Sequence, residues 1–445
     1  MKKIAISLAV LVALGAGTAA FVTHTPASPF DGQAALEASA PLVARGAYLA
    51  RVADCVACHA VPGGAPFAGG HEMATPIGAV YGTNITPDKA TGIGDYSLAD
   101  FDRALRHGVA RDGRRLYPAM PYPSYAKLSD EDLRALYAYF MKGVAPAHQL
   151  NKPSTIPWPL NMRWPLALWS LAFSTDARFV ADPAHDAAWN RGAYLVEGLG
   201  HCGACHTPRG LAMNEKALDS TGKRFLAGGV IDGWYAPSLR GDDNHGLARW
   251  NEGEVVQFLK TGRNAHGVVF GSMSDAFNNS TQFMSDDDLK AIAHYLKSLP
   301  GEEDGKPWRY DATSTGALSV ASRATMPAAQ IYAARCAFCH GNDGRGKAPW
   351  IPPLAGVASA TGPEGASAIN ITLNGSPRVV AAGMVDSYRM PAYRDQLSDE
   401  QIADVVSFIR SNWGNQGDKA KAAEVKALRG RTQAAGPVPI VLPVQ

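Results

Sequence analysis

Three five-residue strings hold every cysteine of this 445-residue chain: Cys55-Val56-Ala57-Cys58-His59, Cys202-Gly203-Ala204-Cys205-His206 and Cys336-Ala337-Phe338-Cys339-His340. Each reads Cys-x-x-Cys-His. At that spacing two thiols lie on one side of a helical turn and can form thioethers with the two vinyl groups of one porphyrin. The adjacent histidine then rises beneath the ring as the proximal iron ligand. Three strings therefore predict three covalently bound haem c groups. Cys55, Cys58, Cys202, Cys205, Cys336 and Cys339 would be the attachment points, and His59, His206 and His340 the iron ligands. Competing chemistries account for less. Internal disulfides would leave the histidines unexplained. A four-cysteine zinc site would need two distant strings brought together, and a thioredoxin-type pair should sit by a βαβ pattern, which is missing.

A haem that only carries electrons has its sixth position filled too, commonly by a methionine whose thioether favours ferrous iron. Met120 sits in Leu116-Tyr117-Pro118-Ala119-Met120-Pro121-Tyr122, and Met390 in Tyr388-Arg389-Met390-Pro391-Ala392-Tyr393. The middle region offers Met273, in Gly271-Ser272-Met273, and Met284. The latter lies directly against a helix cap with too little loop to reach over a haem, so Met273 is expected. Met73, Met213 and Met384 fall off the pattern, and Met141, Met162 and Met284 read as core filler. His107 and His266 are the bis-histidine alternatives, read more simply as polar loop residues or haem-propionate contacts. Each proximal imidazole also needs a backbone carbonyl to orient its other nitrogen. Thr83-Asn84-Ile85, Pro237-Ser238-Leu239 and Pro353-Leu354 are the candidate stretches.

The elements that must position these groups repeat along the chain. Arg45-Gly46-Ala47-Tyr48-Leu49 stands ten residues before Cys55, and the same five residues, Arg191 to Leu195, stand eleven before Cys202. Ala328-Ala329-Gln330-Ile331-Tyr332 is a more distant third copy. On the far side, Ser129-Asp130-Glu131-Asp132, Ser285-Asp286-Asp287-Asp288 and Ser398-Asp399-Glu400-Gln401 each precede an amphipathic helical pattern. Serine is the expected N-cap, with acids in the first turn. The spacing predicts an opening helix leading into each Cys-x-x-Cys-His and a closing helix crossing it, with Gly46, Gly192 and Ala328 permitting close approach.

This is the layout of cytochrome c domains. The expected fold class is mainly α: three tandem cytochrome c domains with long loops, which 45 glycines and 30 prolines also favour. Domain 1 is read as 41–150, an aromatic-rich connection as 151–187, domain 2 as 188–300, a polar linker as 301–325, domain 3 as 326–415 and a tail as 416–445. Residues 1–22, with Lys2, Lys3 and an apolar run ending in small residues, read as a signal peptide or N-terminal anchor. That implies export to the periplasmic face of a bacterial cell membrane, where haem is attached to reduced thiols. A formal charge of +2 gives no reason to expect nucleic acid as a partner.

Over nearly the whole chain after the export segment, the sequence resembles the three-haem cytochrome c subunits of membrane-bound periplasmic dehydrogenases. These include the gluconate 2-dehydrogenase type, its sorbitol and fructose relatives, and the PQQ alcohol dehydrogenase type. The resemblance rests on Tyr81-Gly82-Thr83-Asn84-Ile85-Thr86-Pro87-Asp88, Leu116 to Tyr122, Met162-Arg163-Trp164-Pro165-Leu166 and Gly200 to Arg209. The loop before Met390 is shorter than that family usually has. The resemblance implies an electron-transfer subunit of an oxidoreductase complex, not catalytic alone. It would relay electrons from a flavin- or PQQ-dependent dehydrogenase catalytic subunit, acting on gluconate or another polyol or alcohol, to ubiquinone. A small accessory subunit and the membrane surface are further partners it suggests. No Gly-x-Gly-x-x-Gly unit or Gly-x-Ser-x-Gly elbow argues for substrate chemistry in this chain. A free-standing shuttle to a terminal oxidase is the alternative, and a haem peroxidase or reductase, which needs an open sixth position, fits less well. The stretch Trp158 to Trp169 holds three tryptophans and one charge. It either packs between domains 1 and 2 or contacts a membrane or quinone site.

Overall fold

The computed structural model describes residues 24–302, 305–313, 325–386, 388–436 and 438–442. The export segment read at 1–22 lies outside the described residues, as does part of the polar linker. The architecture is mainly helical, and among the described residues strand is confined to three antiparallel hairpins. No described helix is long and apolar enough to cross a membrane. The chain divides into two compact units. One takes the described residues up to Ala50 with Cys58–Val61 and Ala65–Val180; the other takes Arg51–Ala57, Pro62–Gly64 and the chain from Ala181 onward.

Helix α1 (Ala40–Val52) starts in the first unit and leads into the short helix α2 (Cys55–His59), of which Cys58 and His59 belong to that unit while Arg51–Ala57 count with the second; the hairpin β1 (Glu72–Thr75) and β2 (Gly78–Tyr81) follows in the first. Helix α3 (Leu98–His107) is closed at its start by a Ser97–Asp100 capping box. Helix α4 (Asp130–Lys142) begins on Ser129, whose hydroxyl accepts the Asp132 N–H. Gly46 lets α1 and α4 touch, since a Cβ there would strike the Ala135 carbonyl oxygen. The repeated arginine secures the same crossing. Arg45 Nε donates to Asp132 Oδ1 at 3.0 Å, tying the opening helix to the capped end of the closing one. The aromatic-rich connection forms α5 (Pro165–Phe173). It turns Ala167 inward and sets Trp169 edge-on to Tyr122, while Trp158, Leu160, Trp164 and Leu171 stay exposed, so those four are surface groups and not packing.

The second unit repeats the scheme. Helix α6 (Ala187–Ala193) continues as a π-helical turn, Tyr194–Leu199, before α7 (Gly203–His206). The second repeat has one residue more between its arginine and its first cysteine, and the π turn absorbs it without shifting the helix faces. The hairpin β3 (Gly229–Ile231) and β4 (Trp234–Ala236), α8 (Glu252–Thr261), α9 (Met273–Asn279) and α10 (Asp286–Ser298) follow. Here Arg191 Nε donates to Asp288 Oδ1 at 2.7 Å, and a Cβ at Gly192 would strike the Ala291 carbonyl.

The third motif follows α11 (Pro327–Arg335), with Cys336 capping α12 (Ala337–His340); α13 (Ala366–Asn374), a short hairpin of β5 (Val380–Ala381) and β6 (Met384–Val385), and α14 (Asp399–Ser411) complete the region. Ala329, not Ala328, is the fully buried small residue, packed among Val405, Phe408 and Trp413. Gln401 replaces the acid of the other copies and closes a capping box with Ser398 instead of meeting an arginine. The stretch after 416 includes α15 (Ala422–Arg431), whose Val425 and Leu428 enter the core with Ile402 and Val406. The linker is likewise pinned where it is described: the Trp308 N–H reaches Asn244 Oδ1, and the Tyr310 hydroxyl reaches the Asp343 carbonyl.

The two helix crossings and the open face of α15 predict opposite responses to one added methyl group. Gly46→Ala and Gly192→Ala should each destabilise the chain by about 1–3 kcal/mol, the range for overpacking. Gly430→Ala, on α15 with no atom nearby, should stabilise it by about 0.5–1 kcal/mol through helix propensity. Denaturant unfolding of the three variants checks both signs.

Candidate haem sites

Each Cys-x-x-Cys-His string forms a short helix at the end of an opening helix, and the histidine is its last residue. The three imidazoles share one environment. His59 Nδ1 donates to the Thr83 carbonyl at 2.7 Å, His206 Nδ1 to the Pro237 carbonyl at 2.7 Å, and His340 Nδ1 to the Pro352 carbonyl at 3.1 Å. The first two acceptors lie in the stretches expected from sequence, and the third lies one residue upstream of the expected Pro353. Burial pushes all three imidazoles below their ordinary pKa, outweighing the carbonyl that favours the charged form. A neutral ring that spends Nδ1–H on a carbonyl presents its Nε2 lone pair, which is what an iron ligand requires.

The backbone holds these histidines as well. Their carbonyls accept the N–H of Gly69, Gly228 and Gly346 respectively. No sequence spacing announces this, because the glycines lie ten, 22 and six residues beyond their histidines. Gly82 adds a close approach in the first site, where a Cβ would strike the Cys58 carbonyl, so the segment carrying the Thr83 acceptor can lie against the motif.

Burial holds three of the six thiols in their protonated form. Burial pushes Cys202 up to about 12, Cys205 up to about 11 and Cys336 up to about 12. A metal thiolate has to lose that proton. Among the described residues no group of three or more His, Cys, Asp or Glu side chains gathers as a cation site would demand. Cys339 is the exposed member of the six.

The expected distal methionines fall in three different local structures. Met120 is half-buried in a turn, its N–H on the Tyr117 carbonyl and its own carbonyl accepting the Tyr122 N–H. Met390 is half-buried and fastened to Ser376 twice, its N–H on Ser376 Oγ at 2.9 Å and its carbonyl on the Ser376 N–H at 3.1 Å. Met273 does not lie in an open loop. It is the first residue of α9, half-buried beside Val269, Phe277 and Val379. Met284 is buried immediately before the Ser285 cap. A repeated signal that spacing alone did not bring out precedes each: α3, α8 and α13 end on Gly108, Gly262 and Gly375, and a methionine follows 11–15 residues later. The bis-histidine alternatives have other partners. His107 faces Asp176 at 3.0 Å, and His266 stacks on Trp250 with Nε2 at 3.1 Å from Glu254.

The donor set in each region therefore fits haem c: two thiols on one turn, a neutral oriented imidazole and a methionine beyond a helix end. The chain belongs to the cytochrome c family, whose model matches residues 43–143, 190–300 and 326–413. Three such domains hold three haem c groups. Among its relatives, the gluconate 2-dehydrogenase cytochrome c subunit of Pantoea cypripedii is 51% identical, covering 88% of this chain and 90% of that protein. The cytochrome c subunit of the quinone alcohol dehydrogenase of Gluconacetobacter polyoxogenes is 49% identical, over 88% and 85%. The fructose dehydrogenase cytochrome subunit of Gluconobacter japonicus is 38% identical, over 92% and 86%.

His107 predicts a pH effect with a definite sign. Burial lowers its pKa below the ordinary 6.5, more than Asp176 raises it. The unfolded chain therefore takes up a proton first as the pH falls, and this contribution to stability is lost progressively below about 6.5. His107→Gln should flatten the dependence of the unfolding midpoint on pH between about 5 and 7.

Proposed function

We propose that this chain is the electron-transfer subunit of a dehydrogenase complex, with His59–Met120, His206–Met273 and His340–Met390 as its three axial pairs. The observation that carries the reading is the threefold recurrence of an imidazole, half-buried or buried, whose Nδ1 is held by a backbone carbonyl beside a Cys-x-x-Cys turn. When bound, each haem supplies a one-electron couple. The chain's own residues do the rest. The cysteines anchor the ring, the carbonyls of Thr83, Pro237 and Pro352 orient the imidazoles, and the methionine thioethers favour the reduced state and close the sixth position to outside ligands.

The relatives named above are cytochrome subunits of gluconate, alcohol and fructose dehydrogenases. On that basis the donor is a flavin- or PQQ-dependent catalytic subunit oxidising a polyol, sugar acid or alcohol, with a small accessory subunit as a further partner. The acceptor is ubiquinone, and the site of action is the periplasmic face of the cell membrane. The test starts from membranes of a strain lacking this chain but retaining its dehydrogenase. Adding the haem-loaded chain should restore gluconate- or alcohol-dependent ubiquinone reduction; haems that stay oxidised with every such substrate would refute the reading.

The aromatic-rich connection supports membrane contact. Trp158 is 78% exposed and Leu171 70%, with Leu160, Trp164 and Leu168 also outward. Exposed tryptophan and leucine of this kind suit the lipid interface. The triple variant Trp158→Ser, Trp164→Ser, Leu171→Ser should weaken binding of the mature chain to anionic vesicles by more than about tenfold, as read by co-sedimentation. Unchanged binding would remove this surface from the account.

A further inference from the structure

The second unit contains one piece of construction that a pair of independent cytochrome domains would not need. Helix α9, which starts on Met273, ends in the buried amides Asn278 and Asn279, and Gln282 follows it; their side chains bind the backbone of other parts of the unit. Asn278 Oδ1 accepts the Val380 N–H at 2.8 Å and its Nδ2 donates to the Arg378 carbonyl at 3.0 Å. Gln282 Oε1 accepts the Ala382 N–H at 3.0 Å and its Nε2 donates to the Val380 carbonyl at 2.8 Å. Two side chains thus do for this stretch what a neighbouring strand would do, and both are buried.

The stretch they hold is the segment that leads to Met390. From Gly375 the chain runs through Arg378, the β5–β6 hairpin and Asp386, and returns to Ser376 through the paired hydrogen bonds of Met390. Val379 forms a buried cluster with Val269 and Phe277, against which both Met273 and Ala381 pack. Arg263, directly after the glycine that ends α8, forms an ion pair with Asp386 and lies over the Trp350 ring at 4.5 Å. Asn279 makes an equivalent grip on a different target: its amide meets the Ile440 carbonyl and the Leu442 N–H of the C-terminal arm.

We propose that Asn278 and Gln282 are positioning residues for two axial ligands at once. By joining the Met273 helix to the Met390 segment they make the two one mechanical piece, so that ligation at the second haem and ligation at the third are coupled. Neither amide bonds to the Met120 segment, so the Met120 ligand stands outside that coupling. A buried amide that loses its partner leaves a backbone N–H and a carbonyl unsatisfied on the other strand, and here that strand carries the ligand segment. This inference rests on Met273 and Met390 being the sixth ligands.

The experiment uses the full chain loaded with its haems. It reads the strongly shifted methyl resonance that each ligated methionine gives in the reduced protein, together with the rate of CO binding. Met120→Ala, Met273→Ala and Met390→Ala assign the three signals. A variant that keeps all three signals and stays inert to CO overturns the ligand reading itself, separately from the coupling. With the signals assigned, Asn278→Ala should shift the Met273 and Met390 resonances together and leave that of Met120 in place. It should also speed CO binding at two haems by about tenfold or more. Asn279→Ala, which frees the arm and the Asp275 carbonyl within α9 but no part of the Met390 segment, should leave Met390 unmoved. Coupling is overturned if Asn278→Ala moves one of the two signals alone, or neither. Should Asn278→Ala fail to mature with three haems, Met390→Ala decides alone: coupling requires its Met273 resonance to shift, and an unmoved one overturns the proposal.

Discussion

Everything in this protein that bears on electron transfer depends on one hydrogen bond made three times, from an imidazole Nδ1–H to a backbone carbonyl. It fixes the tautomer, the ring plane and the direction of Nε2. In the proposed haem sites the cysteines would hold the porphyrin edge, and this bond would orient the imidazole that holds the iron. Each acceptor comes from a loop beyond its motif, so those loops are under geometric constraint although they contain no chemistry-bearing side chains. Burial that keeps the rings neutral works in the same direction.

The remaining architecture holds that geometry with two inherited devices and one that is particular to the third region. In the first two regions an arginine of the opening helix pairs with the third acidic residue of the closing helix, and the next residue is a glycine that lets the backbones meet. The third region has neither. It relies on a capping box at Ser398, on the fully buried Ala329, Tyr332 and Trp413, and on the packing of α15. Its distal segment is held partly from the neighbouring region, through Asn278 and Gln282. The third region thus differs from the first two in its helix crossing and is braced by its neighbour.

Much of this was legible in the sequence, and the limits have physical causes. The Cys-x-x-Cys-His strings, the serine caps and the helix-crossing glycines are local or strictly spaced, so they can be read directly. The Arg-Gly-Ala-Tyr-Leu repeat was visible, but its purpose was not, because Asp132 and Asp288 are some 90 residues away. The one-residue difference in its offset became intelligible only as a π turn. Met273 was expected in a loop and heads a helix. The glycine that ends each preceding helix would have given the register, had α3, α8 and α13 been compared. Asn278 and Gln282 read as ordinary polar residues, since nothing in a linear pattern reveals which distant strand an amide will bind. The tryptophan-rich connection was ambiguous because composition cannot distinguish a packed aromatic from an exposed one.

The central claim is that all three irons have both axial positions filled by this chain, which makes it a conductor of electrons and not a site of substrate chemistry. Electron paramagnetic resonance of the oxidised, fully loaded wild-type chain tests that most directly. The account predicts three low-spin ferric signals of histidine–methionine type and no high-spin signal at neutral pH. A high-spin iron in a stoichiometric amount would mean an open coordination position, and would contradict it.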